Sequence, residues 1–157
     1  MSDLPEESPD DSLELLGSGL IAEKNRRLST LDRMRARGVD PYPYRFDRTH
    51  TLAEIRETWG HLEPGAETDA TVSIAGRVML LREQGKLIFA NVQDRSDEIQ
   101  LFVSKAVIGD EGFDHLGDID LGDWVGAHGT VMTTRKGELS IKVDRLDLLA
   151  KTVRPLP

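Results

Sequence analysis

Residues 72–100 read VSIAGRVMLLREQGKLIFANVQDRSDEIQ, and a period of two runs through them. Val72, Ile74, Gly76, Val78 and Leu80 alternate with Thr71, Ser73, Ala75, Arg77 and Met79. Neighbouring side chains on a strand face opposite sides, so this alternation predicts a strand with one buried face. Gln84-Gly85-Lys86 then predicts a turn, Leu87–Asp94 a second strand, Asp94–Asp97 a second turn and Glu98–Ser104 a third strand.

The alternation breaks over residues 105–122, KAVIGDEGFDHLGDIDLG, which predict a short helix. It resumes at Trp124–Thr133 and Glu138–Leu148, joined by the turn Thr134-Arg135-Lys136-Gly137. Three strands, a helical insertion and two strands make the layout of a five-stranded OB-fold barrel, a mainly β class. Upstream, Ile21, Leu28, Leu31 and Met34 recur at helical spacing, predicting an amphipathic helix that stops before Gly38, Pro41 and Pro43. A second helix is expected from about Leu52 to Trp59, with Thr51 and Glu54 in the capping-box arrangement. The expected organisation is a disordered acidic tail over 1–19, a helical segment over 20–62 and the barrel over 63–157.

Composition removes several function classes. The 157 residues include no cysteine, so disulfides, thiolate catalysis and Cys-ligated metal sites are excluded. His50, His61, His115 and His128 are scattered, with no pair at i, i+4 to hold a metal. Apolar runs are short, which predicts a soluble cytoplasmic protein without a membrane span. The net charge of −8 is unevenly spread: six acids and no Lys or Arg lie in residues 1–19, leaving −2 on the rest. Residues 20–48 hold eight Lys or Arg against four acids. Polyanion binding depends on local potential, screened over about 8 Å at physiological salt, so the total does not forbid an RNA partner.

Oligonucleotides bind an OB-fold on the outer side of its second and third strands, between the loops joining strands one–two and four–five. Parity places Ile88, Ala90, Val92, Ile99, Leu101, Val103, Leu139, Ile141 and Val143 inward. It leaves Leu87, Phe89, Asn91, Gln93, Glu98, Gln100, Phe102, Glu138, Ser140 and Lys142 outward, with Arg77 on the outer set of the first strand. Arg82, Lys86, Arg135 and Lys136 lie in the bordering loops. An aromatic ring offers stacking worth about 1–3 kcal/mol per base, and Gln, Arg and Glu offer directional bonds to base edges. An outward Phe is equally consistent with cover by a helix or a neighbouring subunit, and basic loops with simple solvation. Of the eight aromatics, only Phe89 and Phe102 fall on this face, which suits reading a few bases over coating a long strand.

The run over 72–100 resembles the anticodon-binding core of class II lysyl-tRNA synthetases, with its AGR strand, Gly-Lys turn, Phe on the second strand, QD at its end and IQ on the third. The likeness continues in GVDPYPYRFDRTH (38–50), LGDWVGAHG (121–129), TRKGELSI (134–141) and LLAKTVRPLP (148–157). The resemblance implies that Phe89 stacks on an anticodon base, Gln100 bonds the central uridine, and Arg82 (with Arg77 as the neighbouring possibility) and Glu138 complete the anticodon site. Arg26, Arg27 and Arg33 of the first helix, with Lys86, Arg135 and Lys136, are then expected on the tRNA backbone. Asp97, where the family usually has Gly, and Asn91, where it usually has Thr or an apolar residue, depart from the pattern. Family members form homodimers, so a homodimer is implied, and a dimerisation or protein-interaction module is the alternative reading. In the family RPLP leads into a catalytic domain. No catalytic residues, ATP site, cofactor or metal are expected among these 157, so recognition without catalysis is the expectation, whether as part of a longer enzyme or as a free-standing chain.

Overall fold

In the computed structural model, residues 9–42 and 45–156 are described, with side chains from residue 17 onward. The elements are α1 (Pro9–Ala36), α2 (Leu52–Trp59), β1 (Glu67–Gln84), β2 (Leu87–Gln93), β3 (Glu98–Ser104), α3 (Lys105–His115), β4 (Trp124–Thr133) and β5 (Leu139–Ala150). The strands close into a barrel in the order β1-β2-β3-β5-β4. All neighbouring pairs are antiparallel except β3 with β5, which run parallel and seal the ring.

The expected inward residues fill the barrel: Val72, Ile74, Val78, Ile88, Ala90, Val92, Ile99, Leu101, Val103, Leu139, Ile141 and Val143 are all buried. β4 adds Val125, Ala127 and Val131 to the same cluster, and α2 adds Leu52 and Ile55. β1 is longer than its alternation indicates, extending to Gln84, because a bulge falls between Val78 and Leu80. An extra residue in one strand reverses which side later residues face. Beyond the bulge Leu81 and Glu83 pair with the inward Ala90 and Ile88, whereas Arg82 pairs with the outward Phe89. The turn into β2 is two residues, Gly85-Lys86, with φ of 61° at Gly85, a value L side chains avoid and tight hairpins require.

β4 and β5 approach so closely at Gly129 that a Cβ there would stand 2.0 Å from the Lys142 carbonyl oxygen. The register shifts at the same point, so glycine lets the barrel wall bend there.

α2 begins as the sequence indicates, with the Thr51 hydroxyl accepting from the Glu54 amide at 3.2 Å. Its first amides are also taken by the β2–β3 turn: Leu52 donates to Asp94 and Ala53 to Ser96, each at 3.0 Å. Four amides at a helix start lack internal partners, and this turn supplies two of them. The expected helix between β3 and β4 is present as α3, kinked at Gly109 and followed by a 3-10 turn over Leu116–Asp118.

α1 corrects two expectations. It starts at Pro9, so the tail expected over 1–19 is helical from that residue on, and residues 1–8 lie outside the described part. Proline suits a first helical turn because its missing N–H costs nothing there, and acids suit the positive end of the helix dipole. Only half of the expected apolar stripe is buried: Leu31 and Met34 pack, while Leu28 is 39% and Ile21 62% exposed. Pro43, one of the expected helix breakers, lies outside the described residues; the helix has already ended at Ala36.

Candidate nucleic-acid interface

Strand register assembles the outer face row by row. Arg82, Phe89, Phe102 and Lys142 lie side by side across β1, β2, β3 and β5. The next row holds Leu80, Asn91, Gln100, Ser140 and Met132. Phe89 is half-buried on this outer side, with Phe102 edge-on at a centroid distance of 5.3 Å and an interplanar angle of 70°. That pairing is an edge-to-face contact. The Arg82 guanidinium stands 5.7 Å from the Phe89 centroid, a loose cation–π approach.

A concavity of about 530 Å³ opens over these rows. Arg82, Gln84, Phe89, Gln100, Phe102, Met132, Thr134, Arg135, Lys136 and Glu138 line it. The β4–β5 turn that carries Arg135, Lys136 and Glu138 is closed on itself, Thr134 donating its amide to the Glu138 carbonyl at 2.9 Å and Glu138 its amide to the Thr134 hydroxyl at 3.1 Å. Among the described residues, no hydrogen bond or ion pair engages the side chains of Arg82, Arg135, Lys136 or Glu138. Their charges face open solvent around an aromatic ring.

A second concavity, about 450 Å³, lies between the end of α1 and β5. Its arginines are already neutralised: Arg37 is paired with Asp118, Arg45 with Asp47 and Arg145 with Asp147. An anion arriving there would compete with carboxylates in place. The first concavity imposes no such competition, which is why it is the candidate.

The structure thus brings together Phe89, Gln100, Arg82, Glu138, Arg135 and Lys136. Lys86 stands apart at the tip of the β1–β2 hairpin, exposed. Arg77 faces outward as expected but away from the concavity, pairing by register with Gln93 and Trp124 and donating to the Gly122 carbonyl at 3.1 Å. Arg33 is exposed on α1 and donates to the Thr30 hydroxyl. Arg27 corrects the expected backbone contact: it is 4% exposed, donating to Glu23 and to the Leu121 and Thr152 carbonyls. A guanidinium spent on framework groups cannot also hold a phosphate. Arg26 is more exposed but is tied to Glu23 and Asp120.

Hydrogen bonds from Arg26 and Arg27 hold the Glu23 carboxyl down to about 2, and Arg26 itself is raised. Asp97, the departure from the family turn, accepts from Arg56 at 2.9 Å and from the Glu98 amide at 2.7 Å, so its charge is balanced inside the fold. Three lining residues escaped the sequence reading. Gln84 and Thr134 were read as turn residues, although Gln84 ends β1, and Met132 lies on β4, to whose residues no outward face was assigned.

Residues 72–149 match the family described as an OB-fold nucleic acid binding domain. The chain is 42% identical over 154 residues to a lysine–tRNA ligase of Mycolicibacterium gilvum, 96% of this chain and 29% of that protein. It is 42% identical over 133 residues to the lysine–tRNA ligase of Enterococcus faecalis, and 43% over 132 to that of Methanoculleus marisnigri. In those two cases 83% of this chain aligns with 27% and 26% of the relative. The chain therefore spans little more than a quarter of the length of the curated relatives it matches.

Proposed function

The chain carries, over residues 72–149, a member of the OB-fold nucleic acid binding domain family and is related to the lysine–tRNA ligases; from that premise we propose that it recognises a lysine tRNA through its anticodon stem-loop. Phe89 stacks on a flipped base. Gln100 and Glu138 read base edges, and Arg82, Arg135 and Lys136 hold phosphates or base edges. The observation that supports this most is the half-buried Phe89 ring on the outer face, surrounded by charged side chains that make no hydrogen bond or ion pair among the described residues. In a ligase of that kind this part contributes recognition of the tRNA, in the cytoplasm, and the bond-forming chemistry lies with other residues.

Titration with a lysine anticodon stem-loop tests the reading. Phe89→Ala is expected to weaken binding by about 1–3 kcal/mol with the fold intact by circular dichroism. Equal affinity of the two proteins removes Phe89 from the site.

A second reading, a contact surface for protein or for a second copy, is favoured by the exposed Met79, Leu80 and Leu81 on β1. Sedimentation of the chain at rising concentration separates the readings, since an apolar self-contact persists in salt that weakens phosphate binding.

A further inference from the structure

We propose that Ser140 is a positioning residue that fixes which way the Gln100 amide faces, and through it which pyrimidine the outer face accepts. This inference rests on the anticodon reading above. Ser140 is fully buried on β5, and its Oγ lies 3.1 Å from Gln100 Nε2 and 3.1 Å from the Glu138 carbonyl oxygen. A carbonyl only accepts, and a hydroxyl has one proton to give. The Glu138 oxygen has two lone pairs, one for the Thr134 amide and one for the Ser140 hydroxyl. With its proton committed there, Ser140 can only accept from Gln100.

The amide is therefore turned with its NH2 toward Ser140 and its Oε1 away. Reversed, Ser140 would face two acceptors with one proton, and a buried polar atom would lose its partner. Gln100 is 7% exposed, so water does not readily replace that partner. No donor among the described residues meets Gln100 Oε1. It is an acceptor held beside the ring on which a base would stack. Uracil carries a proton on N3 and cytosine a lone pair, so a fixed acceptor at that edge favours uridine and disfavours cytidine. The relay also ties specificity to the turn that carries Arg135 and Lys136, because the carbonyl that orients Ser140 belongs to Glu138.

Two measurements on the full chain test this. In the free protein, NMR should show one Gln100 side-chain NH2 proton protected from solvent exchange, with the protection lost in Ser140→Ala. Stem-loops differing only by uridine or cytidine at the middle anticodon position should bind the unaltered chain with about a tenfold preference for uridine, the value of one hydrogen bond. Ser140→Ala should keep most of its affinity through Phe89 while the preference falls toward one, as in Gln100→Ala. Ser140→Cys, a weaker acceptor of similar shape, should fall between. Unchanged amide exchange or an undiminished preference in Ser140→Ala, in a variant whose amide spectrum shows the native fold, overturns the inference. An unaltered chain that binds neither stem-loop instead overturns the anticodon reading, an outcome distinct because failure of Ser140 alone leaves binding and preference intact.

Discussion

At Arg27 the guanidinium bonds the Leu121 and Thr152 carbonyls and so joins α1 to the loop before β4 and to the segment after β5. Arg27→Ala removes the donor from both carbonyls and one donor from Glu23, and the expected loss is about 1–3 kcal/mol of stability. Urea unfolding measures it, with stem-loop affinity unchanged. Arg82 is the opposite case, since it makes no ion pair among the described residues. Arg82→Ala is expected to leave the urea midpoint within about 0.5 kcal/mol of the unaltered chain and to lower stem-loop affinity several-fold. A variant that unfolds early while binding normally would remove Arg82 from the site. These two arginines look alike as letters in the sequence. Only the partners 94 and 125 residues away, on other elements, separate a clamp from a contact.

Strands β2, β3 and the start of β5 were legible because an apolar residue recurs at every second position (Ile88, Ala90, Val92; Ile99, Leu101, Val103; Leu139, Ile141, Val143) and meets a common core. β1 was legible only to Val78: the run Met79-Leu80-Leu81 supplies an apolar residue at either parity, so a bulge leaves no trace in the pattern. The candidate face was legible for the same reason as the strands, whereas the Ser140 relay was not, because side-chain bonds across a parallel pair have no sequence period. The docking of α2 on the β2–β3 turn carries a pH prediction. Burial acts to raise the Asp94 carboxyl, but the Ser96 hydroxyl and the amides of Leu52, Asp97 and Ser96 outweigh it and hold it below its ordinary value. A carboxyl lowered in the folded chain contributes stability that is complete above its unfolded pKa and lost as pH falls through the folded one. The urea midpoint should therefore hold from neutrality down to about pH 5 and decline below about pH 4. Asp94→Asn should flatten part of that decline, and a midpoint insensitive to acid in the unaltered chain would remove the cap from the account.

Across the molecule, an acidic chain presents over β2 and β3 a concavity whose basic groups, Arg82, Arg135 and Lys136, make no ion pair among the described residues. If three or four phosphates are neutralised there, log affinity for the stem-loop should fall against log salt with a slope of about −2 to −3. A flat salt response would favour the protein-contact reading. A second acid-sensitive region lies under α1. Burial acts to raise Asp120, but Lys151 and Arg26 outweigh it, and Lys151 also bonds the fully buried Asp123 at 2.6 Å. The barrel closes through the parallel β3–β5 pair, whose partners, such as Leu101 and Ile141, are forty positions apart. During synthesis, β1 to β3 emerge first and β3 presents a bare row of amides and carbonyls until β5 arrives. A nascent chain stalled or cut before Ile141 would thus display an open template for strand addition, and such products should collect in the insoluble fraction while the 157-residue chain does not.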